Sequence, residues 1–202
     1  MKKHLILLDN GHGNNTAGKR SPDGTLLEYQ YTRDMAKSVF NVLKALGYNV
    51  ELLVPEVYDV SLTERVRRVN KRCEEYGASN VLVLSIHVNA AGDGSKWLNA
   101  RGWSVYTSKG KTKSDELATI MYEEAEKLHI DFKVRKDMSD GDADWEENFT
   151  ILSKTKCAAV LSENFFMDNR DDVAFLQSPC GKEIVKTIHV NAVIKYANKY
   201  FV

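Results

Sequence analysis

Two stretches of this chain, VLVLSIH (Val81–His87) and AAVLSE (Ala158–Glu163), are apolar without alternation and then stop on a titratable residue. A strand with one face in water alternates apolar and polar residues. A strand covered on both faces reads as a continuous apolar run. These runs are too short for buried helices, so they predict strands in a sheet with helices on both sides. HLILLD (His4–Asp9) opens the chain in the same way.

The intervening segments have helical periodicity. From Glu28, the residues Tyr31, Met35, Val39, Val42 and Leu46 recur at steps of four and three, and Gly47 supplies a C-terminal stop. Tyr48–Val54 reads as a strand. Ser61 with Glu64 is a capping-box signature before the face Leu62, Val66, Val69, Cys73, and Gly77 closes that helix. Gly102–Thr107 reads as a strand and Ser114–His129 as a helix. A short helix near Asp171–Gln177 precedes a terminal helix Gly181–Tyr200. Alternating strands and helices predict a three-layer α/β/α domain with a mostly parallel twisted central sheet. With no internal repeat, no linker and only three prolines, 1–202 reads as a single domain.

Composition excludes several functions. Lys+Arg and Asp+Glu both number 28, so the net charge is zero. That argues against a general nucleic-acid binder and against electrostatic docking on an anionic membrane. Cys73, Cys157 and Cys180 are odd in number, form no CxxC, and read as free thiols of a protein made in a reducing compartment. The apolar run after Lys2 and Lys3 is stopped by Asp9, short of the ~7 residues a signal peptide needs, and no run approaches the ~20 of a membrane span. The expectation is synthesis in the cytoplasm without a visible signal peptide.

The polar residues that end the strands carry the chemistry. His12 follows the first strand, His87 ends VLVLSIH, Glu163 ends AAVLSE, and Glu28 opens the first helix. In an open α/β sheet, ligands sit outside the carboxyl ends of the strands, so all four fall on one edge. Two imidazoles, a carboxylate and a second carboxylate nearby are the inventory of a catalytic zinc hydrolase, in which three protein ligands leave one position for water. Position alone leaves open which carboxylate binds metal, and whether the histidines are structural. Asp9 reads either as a partner orienting His12 or as a turn former. Asn89 either hydrogen-bonds near the site or holds the loop after His87. His4, His129 and His189 read as surface or core residues.

Other groups are weighed against plain structural roles. Asp140, Asp142 and Asp144 in SDGDADWEEN alternate like a calcium loop. An EF-hand counted from Asp140 lacks its Gly and Glu, having Trp145 and Ile151 instead, so a solvated acidic loop is expected. Trp97, Trp103 and Trp145 are candidates either for a glycan groove or for the core. Cys157 precedes its strand, at the far end from Glu163, which disfavours a Cys–His mechanism.

LILLDNGHGNNTAG resembles the opening of the zinc-dependent N-acetylmuramoyl-L-alanine amidases of the amidase type 3 family, where an apolar strand runs into Asp-Pro-Gly-His-Gly. LLEYQYTRDMAKSVFNVLKALGYNVELL is similar to the glutamate-led helix that follows. SLTERVRRVNK resembles the Leu-x-x-Arg…Asn helix, LSIHVNA the Ser-x-His-x-Asn strand end, and TKCAAVLSENFFMDNRDDVAFL the closing strand ending in Glu. The resemblance implies one zinc ion on His12, Glu28 and His87, with Glu163 as general base and then acid. It implies hydrolysis of the amide between N-acetylmuramic acid and L-alanine of peptidoglycan, at the cell wall, by a phage-type lysin or a wall-remodelling enzyme. The alternatives are a catalytically silent peptidoglycan-binding module and a zinc peptidase acting on free peptides. Asn10 stands in place of the family proline and Asn164 in place of the residue beside the glutamate; neither removes a ligand. The family members that need an activator carry an extra helix between the strands ending here at His87 and Glu163. No such helix is readable in this chain, so no activator protein is expected.

Overall fold

The computed structural model describes residues 4–128 and 132–201. Six strands form one sheet: β1 (Leu5–Asn10), β2 (Val50–Leu52), β3 (Val81–Asn89), β4 (Ser104–Thr107), β5 (Trp145–Glu146) and β6 (Ala158–Phe166), in the order β2-β1-β3-β6-β4-β5. The first four in that order are mutually parallel. β4 runs antiparallel to β6, and β5 follows β4. The helices are α1 (Glu28–Ala45), α2 (Leu62–Tyr76), α3 (Lys113–Lys127), α4 (Thr150–Ser153), α5 (Arg170–Gln177) and α6 (Pro179–Tyr200). The mixed, mostly parallel α/β sheet is the predicted class.

The continuous apolar runs are explained by the two cores. Ile6, Leu8, Leu82, Leu84, Ile86 and Val160 face a cluster with α1, α3, α5 and α6. Leu5, Leu7, Val81, Val83, Ala159 and Leu161 face a second cluster with α2 and α4. Alternate residues therefore serve opposite cores, and each fully buried aliphatic contributes roughly 1.5–3 kcal/mol.

Helix starts follow local chemistry. Ser61 Oγ accepts the Glu64 N–H as predicted, but the Glu64 carboxylate turns to Arg67 and Arg68 instead of completing the box. A full capping box forms at Thr112 and Asp115 of α3, and Ser178 caps α6 ahead of Pro179. β3 and β6 run past the predicted ends by two and three residues, with a register irregularity between His87 and Asn89. β5 and the single-turn α4 were not legible from periodicity. His129 lies outside the described residues. Among those residues, no helix is long and apolar enough to cross a membrane.

β4 matters most for the site. Because it is antiparallel, its beginning lies at the carboxyl edge of the other strands. The register aligns Ser104 with Glu163 and Glu163 with His87, making one row across three strands.

Candidate active site

β1 delivers the chain to the edge, where Gly11, His12 and Gly13 turn it. His12 adopts φ +60°, a left-handed conformation uncommon for a residue with a side chain, and costing about 1–3 kcal/mol. The glycines answer to close approach. A Cβ on Gly11 would lie 2.5 Å from the His87 ring, and one on Gly13 would lie 1.9 Å from the Asp59 backbone nitrogen. The imidazole between them is free to reach inward. Thr32 and Arg33 of α1 donate to the Gly11 carbonyl, fixing the turn from the helix side.

Glu28, the first residue of α1, is buried with an exposure of 1%. Its Oε1 accepts the Val88 N–H at 3.0 Å and lies 3.3 Å from His87 Nδ1. Its Oε2 is 3.4 Å from His12 Nε2 and meets no hydrogen-bond donor within bonding geometry. One donor atom from each of His12, Glu28 and His87 falls within 4.8 Å of the others. The two imidazoles stand nearly perpendicular, at 85°, with centroids 5.2 Å apart. An orphaned buried carboxylate oxygen among two ring nitrogens fits a divalent metal ion, since buried polar atoms otherwise find partners. Among the described residues this is the one cluster of three or more such side chains.

Burial and mutual charge perturb every member. Burial pulls the His12 pKa down to about 4. Burial also opposes charge on Glu28, but the His87 hydrogen bond and the charges of both histidines outweigh it and hold the carboxyl below its usual range. For His87, burial is outweighed by Glu28, and the pKa lies above normal. Glu163 differs. Burial pushes it up to about 8, Glu28 adds to the rise, and His87 and Lys19 oppose it. It is half-buried, its Oε2 has no donor, and it stands beside His87 across the β3–β6 ladder.

A cleft of about 540 Å³ opens over this row, reaching His12, His87 and Glu163 and walled by Leu62, Phe149 and Ile151. A separate groove of about 410 Å³ between α1 and α6 contains none of the four residues. The His12 and His87 side chains keep exposures of 21% and 18%, so solvent reaches both.

The supporting residues correct several readings. Asp9 makes no hydrogen bond to His12 among the described residues. It takes Arg65 at 2.6 Å and the Ser85 hydroxyl at 2.6 Å, and Arg65 also bonds the carbonyls of Asn10 and Val60 and the carboxylate of Asp59. This buried pair ties α2 to β1 directly before the turn. Removing one partner of such a pair costs about 3–5 kcal/mol. Asn89 holds its loop: its Oδ1 accepts the Ala90 N–H and its carbonyl accepts that of Met167. Asn164 clamps the back of the site, donating to the His87 carbonyl and accepting from Trp103 Nε1. Trp103 is fully buried and is a core residue, while Trp97 and Trp145 are half-buried. His189 is in the core, and His4 stacks on Phe201. Sequence reasoning gave Arg65 no role at the site. The available signal was a basic residue on the apolar face of α2, between Leu62 and Val69.

Two imidazoles and a buried carboxylate, with a second carboxyl beside an open cleft, are the inventory of a hydrolase site. The family profile described as N-acetylmuramoyl-L-alanine amidase matches residues 6–195, and the chain belongs to that family. The chain is 31% identical over 196 residues to the N-acetylmuramoyl-L-alanine amidase CwlM of Bacillus licheniformis, covering 96% of this chain and 68% of that protein. It is 26% identical over 197 residues to the endolysin of Bacillus phage SPP1, covering 96% of this chain and 66% of that protein. The chain thus spans about two thirds of each of these relatives. The crystal structure of the N-acetylmuramoyl-L-alanine amidase from Clostridium difficile 630 superposes with a TM-score of 0.80 at 22% identity, covering 98% of both chains.

Proposed function

We propose that this chain hydrolyses the amide between the lactyl group of N-acetylmuramic acid and L-alanine in peptidoglycan, using one zinc ion held by His12, Glu28 and His87. The carrying observation is the three donor atoms within 4.8 Å, with Glu28 Oε2 orphaned among them. Zinc suits imidazole and carboxylate donors, and when bound it supplies a Lewis acid that lowers the pKa of water to about 7 and polarises a carbonyl.

The remaining work belongs to Glu163. Its carboxylate accepts the proton of the attacking water, then delivers that proton to the departing alanine nitrogen, which leaves as an amine only once protonated. Asn164 and the β3–β6 ladder fix Glu163 relative to His87. Glycoside hydrolysis needs two carboxyl groups free to flank a sugar bond, and here Glu28 is enclosed by the histidines.

Action at the cell wall follows from that substrate. Among the described residues, the interval between β3 and β6 adds the two-residue β5 and the one-turn α4 to the predicted elements, and α4 forms a wall of the cleft. Turnover of sacculi by the purified chain alone tests the expectation that no activator protein is needed.

The test is mass spectrometry of purified peptidoglycan digested by zinc-loaded protein. New L-alanine amino termini, long glycan strands and no new reducing ends are expected. Reducing ends without alanine termini refute the assignment. Turnover of free stem peptide in preference to sacculi identifies a peptidase instead, and no turnover of either identifies a binding module.

A further inference from the structure

The acidic segment predicted to be solvated is exposed at Asp140 and Glu147 but turns inward at Asp144. Asp144 has an exposure of 2%, and its Oδ2 accepts the Thr107 hydroxyl at 2.5 Å. Its other oxygen, Oδ1, is buried and meets no donor. The Asp142 carboxylate lies against it, and Asp142 Oδ1 is likewise buried without a donor. Asp115, in the first turn of α3, adds a third negative charge nearby, although its own carboxylate is occupied by the N–H and hydroxyl of Thr112. Among the described residues, no Lys, Arg or His forms an ion pair with any of the three. Burial, followed by the Asp142 carboxyl, holds the Asp144 pKa up at about 7 against the Thr107 hydrogen bond.

Two neighbouring carboxyl groups, each with a buried oxygen that meets no donor, are unstable as they stand. Either a proton lies between them or a cation does. We propose that Asp142 and Asp144, with the Thr107 hydroxyl beside them, bind a hard divalent cation, calcium or magnesium. The donors are all oxygen, with no imidazole or thiolate among them, which suits a hard ion and not the zinc of the catalytic centre. Two carboxylates completed by water are a common magnesium set, and backbone carbonyls added to them suit calcium.

The ion would fasten the acidic segment to β4. Trp145 of β5 follows Asp144 directly, the Glu147 N–H bonds the Thr107 carbonyl, and Phe149 and α4 beyond them wall the cleft. Loading this site therefore stiffens a wall of the cleft from outside it, without touching His12, Glu28, His87 or Glu163. The inference does not depend on which bond the enzyme cuts.

The experiment is a titration of the full, zinc-loaded chain with calcium chloride and, separately, magnesium chloride. It is followed by thermal unfolding and isothermal calorimetry at constant zinc. Saturable heat and a rise in Tm of about 5–10 °C at a hundred-fold excess over Kd are expected. Asp144→Asn should abolish both while leaving zinc content unchanged. Asp142→Asn, at the more exposed member, gives the same test if the first variant does not fold. No heat and no shift with either ion up to about 10 mM, beyond the weakest calcium modules, overturns the proposal. A shift that survives both substitutions also overturns it. So does stability that falls between pH 6 and pH 8 equally with and without the ions, because a shared proton then occupies the pair.

Discussion

Replacing Glu163 by Gln separates its proposed role from that of Glu28, because the side chain keeps its shape and loses only its proton chemistry. A base of this kind contributes about 10²–10⁴-fold to turnover, or roughly 3–5 kcal/mol of barrier. Glu163→Gln should lose that much activity and keep its zinc, since the three donors are elsewhere. Stability should move the other way in the metal-free protein. The folded-state pKa of about 8 lies above the ordinary 4.5, so the folded protein keeps a proton that the unfolded chain releases. This contribution is fully present below pH 4.5 and is lost as pH rises toward 8. At about 1.4 kcal/mol for each tenfold change in proton affinity, the ceiling is about 5 kcal/mol, lowered because water enters from the cleft. A bound divalent ion would itself pull the pKa down, so the measurement belongs to the chelated protein. The assay combines metal analysis, release of L-alanine amino termini, and chemical unfolding at pH 5 and pH 8. Wild type should lose stability between those pH values more steeply than the variant. Loss of zinc would make Glu163 a ligand, and turnover within tenfold of wild type would remove it as the base. Parallel pH dependences would refute the burial argument.

His12→Ala, Glu28→Ala and His87→Ala should each bind zinc far more weakly, because two ligands hold it poorly; metal analysis after dialysis checks this, and chelation of wild type should abolish lysis until zinc is restored. Gly13→Ala places a Cβ 1.9 Å from the Asp59 nitrogen, so the Tyr58–Asp59 backbone must move, with an expected loss of about 1–3 kcal/mol in urea unfolding and weaker zinc binding. His189 sits in the core between the Val185 carbonyl and the Ser162 hydroxyl, and burial lowers its pKa to about 4. Between pH 6.5 and pH 4 the unfolded chain takes a proton that the folded one refuses, so stability falls with pH by up to about 3 kcal/mol; His189→Gln should flatten that slope in unfolding curves taken across this window.

The parts of the molecule that were legible are those in which a local pattern has one physical solution. A run such as VLVLSIH has to be covered on both faces, so the sheet and its two helical layers follow. In such a sheet the polar residues that close the strands have to gather at one edge. That reasoning placed His12, Glu28, His87 and Glu163 together, although His87 and Glu163 lie inside extended strands and not at their ends. What could not be read depends on partners distant in sequence. Asp9 read either as a partner of His12 or as a turn former, but its partner, Arg65, is 56 residues away on α2. The antiparallel course of β4 has no local signature either, because a four-residue strand reads the same in both directions. Yet it is this reversal that sets Ser104 beside Glu163 and seats Trp103 against Asn164. The acidic loop is exposed as expected at Asp140 and Glu147 but not at Asp144, for a related reason. Alternating aspartates look solvated until a tertiary contact, here with Thr107, draws one of them inside. The glycines beside His12 show the opposite case: the sequence leaves open whether a Gly-His-Gly turn is structural or serves a metal. Only the packing of His87 against Gly11 and of Asp59 against Gly13 shows that the imidazole is held by space its neighbours do not fill.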